Sequence, residues 1–394
     1  MSTSGYRYRP NINRNLSSAA EIKLVRSGGD YFKRAIDIIN RSHKSIYFQT
    51  YIFIDDHTGK SIIQALEQAA KRGVKVFLLV DAFGSNDLSN HSIAEMQKKG
   101  IHFRKFSPLI HKHHISFGRR LHHKILLGDN SEALIGGINV EDKYHIDGPE
   151  TPWLDYAVYV KGHVCKQLAH ICEVLWKGQA YKMKKRKFFH VLDPIPDEEE
   201  NIPVIVRQND WLFRKEGISL SLRNAIRHSH LSINLMASYF LPGRRIRKLL
   251  RKASGRGVKI KVILQGLSDV SLTKKATTYL YTWMLRNNIE IYEWDKTILH
   301  GKMNLVDDKW ASIGSYNINH LSDYSSIETN LEIHDAAFCE TVKNEMASII
   351  SQCHKVTDSE YQRKMGIWQR FSCWYAFYIT RFLFKLQYAL VSKE

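Results

Sequence analysis

The two halves of this chain of 394 residues repeat one order of predicted elements, and this duplication limits the possible folds more than any other feature. Each half contains an apolar stretch typical of a buried strand, then an amphipathic helix, then a second apolar strand. In the first half these are residues 45–53, 61–72 and 74–80, and in the second half residues 232–240, 244–256 and 258–264. The tetrapeptide Arg-Gly-Val-Lys recurs at the same helix-to-strand corner, as residues 72–75 and 256–259. The sequence therefore predicts a duplicated fold.

Strands that alternate with helices of about 10–15 residues favour parallel or mixed sheets covered by helices. We therefore predict two duplicated α/β sandwich domains, at 22–181 and 204–357, related by a pseudo-twofold axis. Residues 182–203, a basic run followed by an acidic Pro-rich run, form the predicted linker. A polar segment, 1–21, and a basic aromatic segment, 358–394, flank the two domains. At the repeated corners, Gly73 and Gly257 suit the left-handed residue that ends a helix.

The composition indicates an anionic partner and a reducing compartment. The chain has 58 Lys and Arg against 39 Asp and Glu, a formal net charge of +19. Its five Cys residues form no Cys-x-x-Cys pair, which argues against a disulfide framework and against a zinc finger. The N-terminal residues lack the apolar run of a signal peptide, and no stretch has the roughly 18 uncharged apolar residues of a spanning helix. We therefore expect a protein of the cytoplasm.

One constellation of chemically active residues occurs in both halves. The pattern His-x-Lys, then four residues, then Asp, comprises His122, Lys124 and Asp129 in the first half and His300, Lys302 and Asp307 in the second. Asn139 and Asn317 each follow the motif histidine by 17 residues. A lone His in an apolar strand is more often a satisfied core residue, but two equal patterns in corresponding places favour a shared site.

The spacing predicts how such a site is built. If His and Lys stand at i and i+2 on a strand, they point to the same face. The following turn and strand would return Gly136–Asn139 or Gly314–Asn317 beside the first strand. Pairing the halves would then place two His, two Lys and two Asn around one anion. This set suits transfer of a phosphodiester group: one neutral imidazole attacks phosphorus, and the other, protonated, donates to the leaving alcohol.

In this interpretation the lysines and asparagines stabilise charge on the phosphate oxygens. The two motif aspartates, Asp129 and Asp307, support strand ends and take no part in the chemistry. The reaction requires no metal or other cofactor.

These motifs resemble those of the phospholipase D superfamily over nearly the whole chain, from about Ile22 to about Cys353. More narrowly, five segments resemble bacterial cardiolipin synthases, and the resemblance is greatest to the shorter class without N-terminal transmembrane helices. The segments are Phe48–Phe53, Val80–Ser85, Leu299–Met303, Asp308–Asn317 and Glu328–Leu331. The resemblance implies a two-step phosphatidyl transfer through a phosphohistidine, with phosphatidylglycerol as the usual acceptor. The sequence leaves the donor open between phosphatidylglycerol and phosphatidylethanolamine, which present the same diester.

The resemblance also assigns roles to residues. It implies that His122 is the nucleophile and His300 the general acid, although the symmetry of the sequence leaves the opposite order open. Lys124, Lys302, Asn139 and Asn317 would bind the phosphate. An acidic residue on a later strand hydrogen-bonds the catalytic imidazole in this family, and Glu328 matches that position. Asp155 is its expected counterpart in the first half, at a different distance from the motif histidine.

Other functions remain open from the sequence. A phospholipase D-type hydrolase or a nuclease of the same superfamily would share the motifs and the positive charge, but the aromatic C-terminal segment argues against a nucleic-acid substrate. A noncatalytic lipid-binding protein would be expected to lack one of the two histidines. His111, His113 and His114 could contact a headgroup or phosphate, or lie in a solvated loop; we predict no metal there.

The segment between Tyr361 and Val391 mixes aromatic and basic side chains, as in a helix that lies at the headgroup boundary of an anionic membrane. The alternative is a C-terminal helix packed on the domain or on a second subunit. We expect peripheral attachment at the cytoplasmic face of the cell membrane.

Overall fold

A seven-stranded sheet in the first half and an eleven-stranded sheet built mainly from the second half form the framework of the chain, and seven neighbouring strands of the larger sheet repeat the order of the smaller one. The computed structural model describes residues 16–108, 110–111, 114–115, 119–145, 151–178, 202–210, 213 and 215–391. In the first half the order is β2-β11-β10-β9-β3-β4-β5, and in the second half it is β12-β19-β18-β17-β14-β15-β16. The first-half strands are β2 (Glu21–Arg26), β3 (Ser45–Thr50), β4 (Lys75–Asp81), β5 (His102–Phe106), β9 (Lys124–Gly128), β10 (Glu132–Gly136) and β11 (Tyr156–Lys161). Their counterparts are β12 (Ile202–Asp210), β14 (Ser232–Ala237), β15 (Lys259–Gln265), β16 (Ile289–Trp294), β17 (Lys302–Val306), β18 (Trp310–Gly314) and β19 (Ser326–Ile333).

Short strands extend the sheets or join the halves. These are β1 (Leu16–Ala19), β6 (Ile110–His111), β7 (His114–Ile115), β8 (Arg120–Leu121), β13 (Lys215–Glu216) and β20 (His354–Val356). β1 pairs with β12 of the second half, and β8 pairs with β19, also of the second half. Residues 16–19 of the predicted N-terminal segment therefore belong to the second sheet. Their pairing is through backbone hydrogen bonds, which leave little trace in the sequence pattern.

Helices cover both sheets, as in the predicted α/β sandwiches. In the first half they are α1 (Gly29–Arg41), α2 (His57–Lys71), α3 (Asn90–Lys98) and α4 (Val164–Lys177), with a 3-10 turn at Asp142–Tyr144. In the second half they are α5 (Gly217–His228), α6 (Arg244–Gly255), α7 (Ser271–Tyr279), α8 (Tyr281–Leu285), α9 (His320–Tyr324) and α10 (Ala336–Ser351). The chain continues into α11 (Asp358–Lys364) and α12 (Ile367–Val391). The prediction of two duplicated α/β domains is confirmed.

A single apolar core lies between the two sheets. Inward side chains of β9, including Ile125 and Leu127, and of β17, including Met303 and Leu305, belong to one buried cluster. The packed faces of α4 and α10 complete it. Since residues of both halves share this core, the halves are held in one fixed relation. Separate cores lie under the outer helices of each half.

The repeated helix-to-strand corners have the predicted backbone. Gly73 and Gly257 both have a φ of +87°, directly after α2 and α6. A Cβ atom at either position would meet nothing within 4 Å, so the left-handed backbone itself is what requires glycine. Most of the predicted linker, 182–203, falls outside the described residues.

The C-terminal helix α12 packs on the second half and also keeps an exposed aromatic face. Cys373, Ala376, Phe377 and Thr380, spaced as one helical face, are buried. Phe371, Tyr375, Tyr378 and Phe382 lie on the other side and are each at least half exposed. Within the described residues, no helix has the length and apolar character needed to span a membrane.

Candidate active site

Each motif histidine lies just before a strand of its own half, and its backbone is hydrogen-bonded to the other half. The backbone N–H groups of His122 and His123 donate to the carbonyl of Ile327, at 3.0 and 2.9 Å. The N–H groups of His300 and Gly301 donate to the carbonyl of Leu154, at 2.7 and 2.9 Å. The prediction that His and Lys share one strand was therefore wrong in detail, because β9 and β17 begin at the lysines and the backbone of each histidine bonds to the other half.

Two buried polar side chains hold the residues that precede the histidines. Asp81, at the end of β4, accepts a hydrogen bond from the N–H of Leu121 at 2.8 Å. Gln265, at the end of β15, donates to the carbonyl of Leu299 at 2.9 Å. The sequence alone did not indicate these roles, although Asp81 lies within one of the segments that carried the resemblance. Asp81 and Gln265 stand at equivalent places, at the ends of equivalent strands, and this equivalence is the signal in the sequence that could have identified their roles.

The acids that orient the imidazoles are exchanged between the halves. Nδ1 of His122 lies 2.9 Å from Oε2 of Glu328 in the second half. Nδ1 of His300 lies 2.6 Å from Oδ2 of Asp155 in the first half. Both carboxylates are fully buried. Because Nδ1–H of each histidine donates a hydrogen bond to its carboxylate, Nε2 is the ring nitrogen left to react with substrate.

Different supports hold the two carboxylates. Glu328 accepts hydrogen bonds from the hydroxyls of Ser315 at 2.5 Å and Ser322 at 2.8 Å. Gly137, equivalent to Ser315, carries no side chain, and a Cβ there would lie 2.4 Å from Oδ1 of Asp155. The glycine therefore makes room for the shorter acid. Neither serine was predicted from the sequence, although Ser315 lies inside the downstream motif.

The two motif lysines are buried close to the histidines. Nζ of Lys124 donates to the carbonyl of His122 at 2.6 Å, and Nζ of Lys302 donates to the carbonyl of His300. Burial, reinforced by the positive charge of Lys302, lowers the pKa of Lys124 to about 7. Burial also lowers the pKa of Lys302. Two ammonium groups that share a buried space provide a strong attraction for an anion.

The histidines favour the neutral form. Burial lowers the pKa of His122, although Glu328 acts in the opposite direction. Burial and the neighbouring Lys302 lower the pKa of His300 to about 4. The side chain of His122 is 16% exposed, against 8% for His300. An anionic group placed between them would favour protonation of either ring.

Aromatic and hydroxyl groups surround the histidines unequally. The ring of Tyr51 lies 5.0 Å from that of His122, and Nζ of Lys124 lies 5.4 Å from the centre of the same tyrosine ring. His300 instead has the hydroxyl of Tyr144 at 3.2 Å from Nδ1, with the ring of Tyr239 at 6.3 Å. The walls of the cleft thus differ between two otherwise equivalent motifs.

The two predicted phosphate-binding asparagines lie in the same region and are buried. Asn139 donates to the hydroxyl of Tyr144 at 3.0 Å and accepts from the N–H of Ile52 at 3.2 Å. Asn317 accepts from the hydroxyl of Ser238 at 2.7 Å. These bonds orient the amides and link them to the loops after β3 and β14.

The motif aspartates lie at the opposite ends of the strands. Asp129 accepts hydrogen bonds from the N–H groups of His43, Lys44 and Ser45, at 2.7 to 2.9 Å. Asp307 accepts from those of three equivalent residues, again at 2.7 to 2.9 Å. The carboxylates are therefore engaged with backbone at the starts of β3 and β14.

His123 does not extend this cluster. The ring of His123 is hydrogen-bonded on both sides, to Thr329 and Gln49, and burial lowers its pKa to about 3. His113 lies outside the described residues, while His111 and His114 belong to the short β6–β7 ladder. In the described ranges, no three His, Cys, Asp or Glu side chains are grouped so that they could hold a metal ion.

The chain is similar in sequence to known proteins over most of its length. The family described as "Cardiolipin synthase, PLD-like domain" matches residues 35–173 and 222–350, which are the two repeats. Cardiolipin synthase B of Salmonella typhi is 31% identical over 364 residues, covering 92% of this chain and 88% of that protein. Cardiolipin synthase B of Escherichia coli (strain K12) is 30% identical over 365 residues, with the same coverage.

A solved structure shares the fold. The crystal structure of phosphatidylserine synthase from Haemophilus influenzae Rd KW20 superposes with a TM-score of 0.75, over 96% of this chain and 98% of that chain. The sequences are 14% identical. The two repeats of the family match thus correspond to the two α/β halves seen here.

Proposed function

Since the chain belongs to the cardiolipin synthase family with phospholipase D-like domains, we propose that it is a phosphatidyltransferase that forms cardiolipin. It would transfer a phosphatidyl group from a donor phospholipid to phosphatidylglycerol through a phosphohistidine. The observation that carries this proposal is the exchanged pairing of His122 with Glu328 and of His300 with Asp155. Two oriented imidazoles in one cleft are what a two-step displacement at phosphorus needs.

In the first step, neutral His122 attacks the phosphorus of the donor through Nε2. The bond from phosphorus to the headgroup oxygen breaks, and His300, protonated in the presence of the anionic diester, gives its Nε2 proton to the leaving alcohol. The greater exposure of the His122 ring supports its role as nucleophile. Glu328 stabilises the positive charge that develops on His122.

In the second step, the hydroxyl of phosphatidylglycerol replaces the leaving alcohol. His300, now neutral, takes the hydroxyl proton as the oxygen attacks phosphorus and the bond to His122 breaks. The products are cardiolipin and the original pair of imidazoles, with the proton again on His300. Asp155 orients His300 for both directions of proton transfer.

The lysines stabilise the negative charge on the nonbridging oxygens of the phosphorus. Lys124 and Lys302 come from equivalent strands and their ammonium groups lie near both imidazoles. Asn139 and Asn317 supply neutral polar groups beside them. Because these lysines and asparagines already stabilise the charge on the phosphate, the proposed chemistry uses protein side chains alone.

The proposed site of action is the cytoplasmic face of an anionic membrane, with the protein attached peripherally. The net charge of +19 and the exposed aromatic face of α12 support this location. Phosphatidylglycerol is both the proposed acceptor and a donor, and phosphatidylethanolamine is the alternative donor.

Mass spectrometry of lipids tests this function. Purified protein is mixed with phosphatidylglycerol vesicles, with or without phosphatidylethanolamine. We expect cardiolipin to accumulate in both, with glycerol released from phosphatidylglycerol or ethanolamine from the alternative donor. Phosphatidic acid as the sole product would identify a hydrolase. Cleavage of DNA without any lipid product would assign the site to a nuclease.

A further inference from the structure

One face of α6 is strongly cationic and unpaired. The helix has six Arg or Lys residues among its 12 positions and no Asp or Glu. Arg244, Arg247, Lys248 and Arg251 follow the i, i+3, i+4, i+7 spacing of one helical face, opposite the buried Ile246, Leu250 and Ala253. Among the described residues, none of these four cations takes part in an ion pair. Such a concentration of like charge destabilises the free protein unless an anion is bound.

These four cations form a shallow groove with one aromatic wall. The groove is lined by Arg244, Arg247, Lys248, Arg251 and Trp283, and it has a volume of about 310 Å³. The guanidinium of Arg247 lies 6.0 Å from the centre of the Trp283 ring. An apolar wall beside several donors lowers the local dielectric and strengthens attraction to an anion.

Arg247 gives a second and independent indication of a ligand. Its Nε atom is buried and has no hydrogen-bond partner in the described part of the chain. Burial, together with the positive charges of Arg381 and Arg244, lowers the pKa of Arg247. A buried donor without an acceptor is costly, and a phosphate oxygen would satisfy it.

The groove adjoins the aromatic face of α12. Arg381 of that helix is close enough to Arg247 to lower its pKa, and the guanidinium of Arg381 lies 5.3 Å from the centre of the Phe377 ring. Trp374 and Tyr378 are exposed on the same helix at 44% and 50%. Cationic and aromatic groups therefore form one continuous surface, as is typical of proteins that bind at the headgroup boundary.

This surface begins at the rim of the candidate active site. Tyr239, whose ring lies 6.3 Å from that of His300, is only five residues before Arg244. Both follow the end of β14, so α6 starts only a few residues along the chain from a ring that lies beside His300. A membrane seated on this surface would lie beside the cleft.

We propose that the α6–α12 surface, made of the groove cations, Trp283, Arg381 and the exposed rings of α12, binds the phosphate headgroups of an anionic bilayer. This proposal rests on the proposed function and extends it, because it names the surface that would place the active site next to its lipid substrates. The aromatic face favours a lipid surface over nucleic acid, because the rings can enter the apolar boundary while the cations bind phosphates. A second copy of the chain would bring the same positive charge and repel.

Binding to vesicles, measured by sedimentation, tests the surface without any turnover. The test variant carries Arg244→Gln, Lys248→Gln, Arg251→Gln and Arg381→Gln, and retains the partly buried Arg247. The control carries Lys44→Gln, Lys71→Gln, Lys75→Gln and Lys259→Gln, exposed lysines at the opposite edge of the parallel strands. Both variants lose four positive charges. All proteins also carry His122→Ala, so that no lipid is consumed.

We expect the test variant to bind phosphatidylglycerol vesicles at least tenfold more weakly than its parent, and the control less than twofold more weakly. Equal losses in the two variants would overturn the proposal, since net charge alone would explain them. Unchanged vesicle binding with weakened binding to duplex DNA would overturn it in favour of nucleic acid. Thermal unfolding of each variant shows whether the fold is intact. If the two variants differ in vesicle binding as expected but the wild type makes no cardiolipin, the proposed function is refuted and the proposed membrane-binding surface is still supported.

Discussion

Glu328 hydrogen-bonds Nδ1 of His122 across 206 positions of sequence, from one half of the chain to the other. Asp155 makes the reciprocal bond to His300 across 145 positions. The exchange has a clear structural cause. The segment before each histidine pairs with the segment that carries the opposite acid: β8 pairs with β19, and Leu299 forms a bridge with Leu154, next to Asp155. Each imidazole is therefore oriented only when the two halves are docked.

The exchanged pairs predict a specific pattern in the imidazole signals. Because Glu328 raises the pKa of His122, we expect Glu328→Gln to lower that pKa further and leave His300 nearly unchanged. Asp155→Asn should act on His300 in the same way. Nitrogen-15 NMR of the histidine rings measures both. Each variant should also lose about 100-fold or more in turnover. If Glu328→Gln moved the His300 signal instead, the assigned pairs would be wrong.

The shared site predicts that both histidines are essential. His122→Ala and His300→Ala should each abolish net transfer, since one imidazole cannot serve as both nucleophile and acid. Cardiolipin formation from phosphatidylglycerol is the readout. His123→Gln is a matched control, because His123 is adjacent but hydrogen-bonded within the core. Chelators should leave the wild type active; inhibition that added metal reversed would contradict the mechanism.

The lowered pKa of Lys124, about 7, predicts the alkaline limb of the pH profile. As pH rises through this value the free protein loses one positive charge at the phosphate site, so kcat/KM should fall. On the acid side, the lowered pKa values of the histidines keep the attacking imidazole neutral to a lower pH than an ordinary histidine, so activity should extend further into the acid range. A lysine-to-arginine change at 124 should move the alkaline limb upward, because arginine stays charged. If the alkaline limb of the pH profile were unchanged in Lys124→Arg, the titration of another group would be its cause.

The motif aspartates are predicted to act on stability. Asp129→Asn and Asp307→Asn should each lower the free energy of unfolding by about 1–3 kcal/mol, because a charged acceptor of three backbone N–H groups is lost. Partial burial raises the pKa of Asp129, but the backbone donors outweigh it and hold the pKa below its usual value. Its contribution is present above the unfolded pKa and is lost as pH falls through the lower folded one. Urea unfolding measures both effects, and turnover per folded molecule should change little.

The two faces of α12 predict opposite results for aromatic substitutions. Changing the exposed Phe371, Tyr375 and Phe382 to Ser should reduce the salt-resistant part of vesicle binding and leave the unfolding temperature nearly unchanged. Phe377→Ala should instead destabilise the fold by about 3 kcal/mol, since that ring is buried in the core of the second half. Vesicle sedimentation at low and high salt, with thermal unfolding, distinguishes them. A large loss of stability in the triple variant would mean that the outer face is also packed.

The sequence by itself determined the features that depend on neighbours along the chain. Periodicity indicated the strands and helices of both repeats, and the recurring corner located Gly73 and Gly257. Equal motif spacing indicated two histidines for one site and, with the resemblance, the family. The resemblance to the family, and not the spacing, implied Glu328 and Asp155 as the acids that orient the imidazoles.

Only the tertiary structure decided which acid meets which histidine and which rings of α12 remain exposed. The spacing within each half suggested that each acid pairs with the histidine of its own half. In the folded chain, each acid pairs with the histidine of the other half. The physical reason is that both choices depend on how the two sheets dock through a shared apolar core, and that docking joins residues far apart in sequence. Likewise, the contrast between Phe377 and Phe371 arises from contact with the second half, which an aromatic pattern alone does not encode.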